Sequence, residues 1–257
     1  MAIDLSKLEA PRSGDPIICT VVGEEGIGKT SLAASFPKPV FIRVEEGTKS
    51  LTAEHVKKLF ADVRQMPTAQ KFADIIEQLN ALGEQEHGFK TVVVDTITQL
   101  NTMIEAEIVA KDKALSINSA LGGYGAGQNA VADKHSQVRD ICGNLRTYKK
   151  MNIVFLAHAD YEKIDPPDAE SYMRYTVKLH HKSMVHYIDN VDLVAYLKLR
   201  TYVTEGKDKK RNMATTDGNR IITCYKTPNH VSKNRFGIKE DIDFVLGTNP
   251  FDNYVRK

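Results

Sequence analysis

Apolar residues along this chain arrive in two rhythms. Unbroken runs rich in β-branched residues fill positions 17–22, 40–44, 91–96 and 153–157. Runs of that length without polar alternation predict strands covered on both faces, as in a parallel sheet. Between them the apolar positions recur every three or four residues. One set is Leu32, Ala33 and Phe36; the next is Phe72, Ile75, Ile76, Leu79 and Leu82, with Gly83 as a stop. Ile97, Leu100, Ile104 and Ile108 form a third set, and Val131, Val138, Ile141, Leu145 and Tyr148 a fourth. That spacing predicts helices with one buried face. Strands alternating with helices predict an α/β fold, a mainly parallel twisted sheet flanked by helices. Positions 191–199 and 220–225 predict a strand and its return, which adds antiparallel strands near the C-terminus.

The segments without such a rhythm are expected to be connections. Residues 51–64 read as a short helix and a minor strand. Residues 113–130 carry glycines at 123, 125 and 127 but follow no strand, so they are not a dinucleotide fingerprint. They read as a flexible surface loop bearing one aromatic residue, Tyr124. Residues 159–182 read as a long polar loop, of a length usually kept for function. Residues 1–15 read as a flexible N-terminal arm, either a disordered tail or an arm that docks on a neighbouring subunit, and 16–257 as one domain.

Composition narrows the classes. The 257 residues carry 35 basic and 33 acidic side chains, a net charge of +2, so no global field announces a polyanionic partner. A local basic segment exists around the expected hairpin, at Lys198, Arg200, Lys207, Lys209, Lys210 and Arg211; it is either a solvated turn or a polyanion contact. Three scattered cysteines (Cys19, Cys142, Cys224) fit buried thiols in a reducing compartment better than disulfides or a zinc site. His180, His181 and His186 lack a carboxylate or cysteine at ligand spacing, so no metal site is read there. No apolar run approaches 18 residues and no signal-peptide core opens the chain, so a cytoplasmic protein without a membrane partner is expected.

The first strand leads into Gly23-Glu24-Glu25-Gly26-Ile27-Gly28-Lys29-Thr30-Ser31, which fits the phosphate-binding pattern G-x-x-x-x-G-K-[ST]. At average glycine usage the fixed positions arise in about one random chain in a hundred, and a strand before with a helix after makes chance rarer. Glycines at 23, 26 and 28 let the backbone wrap an anion with its N–H groups turned inward. The helix N-terminus adds its positive dipole end. Lys29 is expected to reach the β- and γ-phosphates, and the Thr30 hydroxyl to ligate Mg²⁺. Three further strand ends carry chemistry. Glu45 and Glu46 follow the second strand, Asp95 ends the run TVVVD, and His158 ends the run IVFLA. C-terminal ends of parallel strands are where such sheets bind ligands. Asp95 is expected to hold Mg²⁺ beside Thr30.

Taken in order, GEEGIGKTS, VFIRVEEG, TVVVDT and IVFLAH resemble the RecA-like ATPase core over roughly residues 16–245. More narrowly, the chain resembles the short, core-only bacteriophage ATPases of AAA type that serve single-strand annealing recombination. The resemblance implies a Mg²⁺-dependent, DNA-stimulated ATPase whose cofactors are ATP and Mg²⁺. It gives Glu45 the role of activating water, with Glu46 as an adjacent rival, and His158 that of sensing the γ-phosphate. The motif SKNR matches a paired basic finger, Lys233 and Arg235, that acts on a neighbouring subunit's nucleotide. It also places 113–130 and 159–178 along a DNA channel, with Tyr124, Tyr172, Arg174 and Lys178 as DNA-contacting residues by position alone. Implied partners are single-stranded DNA, further copies of the chain in a ring or filament, and a single-strand-binding protein. A hexameric helicase or helicase loader shares the motifs but usually carries an extra domain. A small-molecule kinase needs an arginine-rich lid, for which only 198–211 offers itself.

Overall fold

The computed structural model describes residues 14–52, 58–205 and 212–255. Five strands run parallel at its centre and left: β1 (Ile18–Gly23), β2 (Pro39–Arg43), β3 (Arg64–Gln65), β4 (Thr91–Asp95) and β5 (Asn152–Ile164). They are joined by α1 (Lys29–Ala34), α2 (Phe72–Glu84), α3 (Ile97–Asp112) and α4 (Ala126–Tyr148). After β5 come β6 (Tyr172–Val177), α5 (His181–Ile188), β7 (Leu193–Glu205), β8 (Asn212–Thr223), β9 (Lys233–Asn234) and β10 (Ile242–Phe244). The order across the sheet is β10-β8-β7-β1-β5-β4-β2-β3, with β6 hung on β5 and β9 on β7. β7 is parallel to β1, whereas β8 and β10 are antiparallel additions. The fold class is therefore the expected one, with the C-terminal antiparallel strands in place.

The unbroken apolar runs are explained by burial on both faces. Ile18, Val22, Ile42, Val94, Phe155 and Tyr196 point to the side covered by α2–α5, against Leu79, Leu100, Ile104, Val138 and Tyr187. Their neighbours Cys19, Val21, Phe41, Val93, Leu156 and Ala195 point to the other side, against Leu32, Ala33 and Phe36 of α1 and Phe251 near the C-terminus. The acidic C-terminal segment thus closes the second face: Phe251 is fully buried, its ring 6.3 Å from that of Phe36. No helix among the described residues is long and apolar enough to cross a membrane.

Two expectations require correction. The stretch 113–130 is not a flexible loop. It folds as a turn, a short 3₁₀ segment at Ala120–Gly122 and the start of α4, five residues ahead of Val131. Gly127 makes this possible by close approach, since a Cβ there would lie 2.1 Å from the Ile117 carbonyl oxygen. Nor is 159–182 a long loop. β5 continues past His158 to Ile164 and returns as β6 to Val177, a hairpin with 165–171 as its connection, and α5 begins at His181. The hairpin strands mix charged residues with exposed apolar ones such as Tyr161, Met173 and Tyr175, which left no clean alternation to read. Residues 1–13 of the expected arm, and Lys207, Lys209, Lys210 and Arg211 of the basic segment, lie outside the described residues.

Candidate functional site

The C-terminal ends of β1, β2, β4 and β5 converge on a cleft of about 620 Å³, lined by Gly26, Gly28–Ser31, Glu45–Gly47, Asp95, Thr96, His158, Arg220 and Leu246. That size lies in the ordinary range for small-molecule sites, roughly 300–1,000 Å³. Gly28 precedes α1 with φ 107°, a left-handed conformation that disfavours any side chain. This turn sends Lys29 back under the loop. Its ammonium donates to the carbonyls of Gly23 at 2.9 Å and Glu24 at 2.7 Å, and lies 3.5 Å from His158 Nδ1. Glu24 and Glu25 are exposed, Glu25 at the cleft with Oε1 4.0 Å from His158 Nδ1, and Ile27 is buried.

On the other wall, Thr30 Oγ1 donates to Asp95 Oδ2 at 3.2 Å. His158 bridges the groups, its Nε2 lying 3.6 Å from Glu45 Oε1. Register explains the convergence: Gly23 is level with His158 on β5, and Asp95 with Leu156, so the three strand ends finish on one rim. Glu46 also lines the cleft, but its carboxylate is engaged at the margin, accepting from Thr68 at 2.7 Å and pairing with Arg43 at 3.5 Å.

Burial sets the charge states. It pushes the Lys29 ammonium down to about 8, against the opposing pull of Asp95, Glu45, Glu25 and Glu24. It pushes the Asp95 carboxyl up to about 6, with the Glu45 charge adding to the effect and Thr30 and Lys29 opposing it. The His158 imidazole holds Glu45 below the usual carboxylate range despite its partial burial, with help from Thr96. A buried carboxylate 3.2 Å from a hydroxyl is a hard-oxygen donor pair that suits Mg²⁺, whose charge would favour the ionised carboxylate. The residues present therefore fit the metal that the motif implies.

The remaining expected residues are placed elsewhere. Lys233 and Arg235 flank the far end of the sheet, because β9 pairs with β7 at Leu193 and Val194, whereas the phosphate loop leaves β1 opposite Leu197. Lys233 Nζ donates to the carbonyl of Asp189 at 2.5 Å, and Arg235 pairs with Asp192 at 3.0 Å. Arg174 pairs with Glu162 across the hairpin at 2.7 Å, and Tyr172 stands opposite Ile164 near its tip. Lys178 follows β6 and is exposed, its N–H bonded to the His158 carbonyl at 2.9 Å. Tyr124 is fully exposed on the turn before α4. That turn meets the start of α5, where Lys182 Nζ donates to Asn129 Oδ1 at 2.6 Å.

Sequence reading missed Thr96, Arg220 and the hairpin aromatics Tyr161 and Tyr175. Thr96 was findable as the residue after Asp95. Tyr161 and Tyr175 oppose each other across β5 and β6, both exposed, which only the register reveals.

A phosphate loop, a hydroxyl and carboxylate for a divalent cation, and a carboxylate–histidine pair on one rim of a mainly parallel sheet define a P-loop ATPase domain. Residues 15–236 match the AAA_24 family, described as an AAA domain, and the chain belongs to that family. No curated protein matches it. Among solved structures, the crystal structure of the RadB recombinase is similar at 12% identity and a TM-score of 0.49, over 91% of this chain and 90% of that one.

Proposed function

We propose that the protein is a RecA-like recombination ATPase that binds single-stranded DNA, works as an oligomer and serves annealing. The observation that carries this reading is strand β5. At its buried half His158 stands between Lys29 and Glu45, and three residues further Tyr161 is exposed on the projecting hairpin opposite Tyr175. One strand thus joins a hydrolysis site to an aromatic, solvent-facing surface of the kind on which bases stack.

In this reading Lys29 and the loop N–H groups bind the β- and γ-phosphates, and Glu45 orients and deprotonates the attacking water. His158, set between the Lys29 ammonium and the Glu45 carboxylate, reports the γ-phosphate to the hairpin. Thr30 and Asp95 would hold Mg²⁺, which neutralises charge on the transferring phosphoryl group. Lys233 and Arg235, directed away from their own phosphate loop, serve a neighbour's site. Phosphate contacts make DNA binding strongly dependent on salt.

The test is the ATPase rate with and without single-stranded DNA, with particle size followed in parallel. DNA stimulation accompanied by large assemblies supports the proposal. A rate indifferent to DNA and raised by a small metabolite overturns it in favour of a kinase.

A further inference from the structure

The nucleotide cleft has two flanks of different character. Glu45, Asp95 and His158 reach it from β2, β4 and β5, all on one side of β1. Arg220 and Leu246 reach it from β8 and from the chain after β10, on the opposite side. Pairing sets the height of Arg220. Gly23 lies level with Leu197 on β7, and Arg220 lies level with Leu199, so Arg220 stands two residues beyond the point where the phosphate loop leaves its strand. That is roughly 7 Å further toward the cleft. From there its side chain folds over the loop, with Nε 3.5 Å and Cζ 3.7 Å from where a Cβ on Gly28 would sit.

Arg220 Nε is buried and has no hydrogen-bond partner. The arginine ion pairs among the described residues use Arg43, Arg146, Arg174, Arg200 and Arg235, and not Arg220. A buried cationic donor left unpaired is unfavourable in the free protein, and such groups are rare unless something else satisfies them. Gly28 has no side chain, so the guanidinium rests directly on the turn that the phosphates must enter. A planar guanidinium fork matches phosphate oxygens, whereas a lysine would offer only a point charge.

We infer that Arg220 is a nucleotide-contacting residue acting in cis, which grips the α- and β-phosphates from the flank opposite the hydrolysis groups. This rests on reading the cleft as a nucleotide site. It assigns Arg220 a role separate from that of the paired cations Lys233 and Arg235. The γ-phosphate end belongs to Lys29, Glu45 and His158, so Arg220 contributes to ADP and ATP binding alike. Leu246 beside it supplies the apolar edge of the same flank.

The experiment is equilibrium binding of Mg²⁺-ADP and of a slowly hydrolysed ATP analogue by titration calorimetry. It is run for the wild type, Arg220→Met, Arg220→Lys and Lys29→Ala, with thermal melts of each in the absence of nucleotide. Arg220→Met is expected to weaken both ligands by a similar factor, about 10–100-fold, the loss of one charge-assisted contact. Arg220→Lys should recover part of that loss. Without nucleotide, Arg220→Met should melt at the same temperature as the wild type or higher, because an unpaired buried donor has been removed. Weakening of the ATP analogue alone would place Arg220 at the γ-phosphate and overturn the assignment. A lower nucleotide-free melting temperature with unchanged affinities would make the residue structural and overturn it too. Wild-type binding with an unaffected Arg220→Met sinks this inference alone, while a wild type that binds neither ligand sinks the nucleotide reading with it.

Discussion

His135 is a titratable side chain that the core has forced into one state. It is fully buried on α4, with Nε2 3.1 Å from Asn101 Oδ1 and Nδ1 2.7 Å from the Tyr187 hydroxyl. Asn101 is oriented by its own amide, which donates to Glu105, so its oxygen can only accept. Nε2 therefore carries the proton and Nδ1 accepts from Tyr187, a fully satisfied neutral ring. Burial, with His186 adding repulsion, pushes its pKa from 6.5 down to about 3. The sign follows: between those values the unfolded chain binds the proton and the folded one does not. Stability from this group is complete above pH 6.5 and drains away as pH falls toward 3, at up to about 1.4 kcal/mol per pH unit. Urea denaturation of wild type and His135→Gln between pH 7 and 4 should show a shallower acid limb in the variant. Parallel curves would acquit His135. The two adjacent glutamates differ in the same concrete way. Glu45 lies beside His158 whereas the Glu46 carboxylate is tied to Thr68 and Arg43. Glu45→Gln is expected to keep nucleotide binding and lose turnover by ~10²–10⁴-fold, and Glu46→Gln to be mild. A reversed ranking in single-turnover assays would show that the water is activated from the other carboxylate.

Among the elements, those clamped on both faces were legible and those held by a single crossing or by register were not. β1, β2 and β4 announced themselves because every residue in them except Arg43 is buried, so their composition had little freedom. The phosphate loop, Glu45 and Asp95 were legible for the related reason that they end such runs, and His158 because it ends the buried half of β5. Arg220 was not, since its place depends on how β8 pairs with β7, including the irregularity between Leu199 and Thr201. The glycines of 113–130 suggested mobility, yet Gly127 is there because the Ile117 carbonyl occupies the space of a side chain. This separates two glycines of α4. Gly127→Ala must displace backbone and should cost about 1–3 kcal/mol, as overpacked sites do. Gly143→Ala meets only the movable end of Arg139 at 3.4 Å and should be neutral or stabilising by up to about 1 kcal/mol. Equal denaturation midpoints for the two variants would mean the crossing does not hold the turn.

At the scale of the whole molecule, Lys233 and Arg235 anchor the end of β7 opposite the one beside the phosphate loop. Asp192 there accepts from the Ile18 N–H at 2.9 Å and pairs with both Arg146 and Arg235 at 3.0 Å. Removing Arg235 leaves Asp192 with two partners, so a doubly substituted subunit should still fold. Subunits carrying Lys233→Ala/Arg235→Ala have intact loops, and Lys29→Ala subunits have intact fingers. Mixed, they should regain ATPase activity that neither shows alone, since a finger in trans is worth ~10³–10⁵-fold. Normal hydrolysis by the finger variant on its own, in assembled form on DNA, would exclude the trans role.

If the proposed function holds, strand β5 makes the traffic between nucleotide cleft and hairpin reciprocal. His158 sits among the phosphate-binding groups and Tyr161 on the hairpin, three residues or roughly 10 Å along one uninterrupted strand. Whatever factor bound DNA applies to nucleotide affinity, bound nucleotide must apply to DNA affinity, because both are legs of one thermodynamic cycle. A subunit that holds DNA about tenfold more tightly when loaded with ATP holds its ATP about tenfold more tightly while on DNA. On the proposed function, hydrolysis beside His158 would be the moment at which the grip at the hairpin is given back, and dwell time on DNA would become a clock set by Glu45.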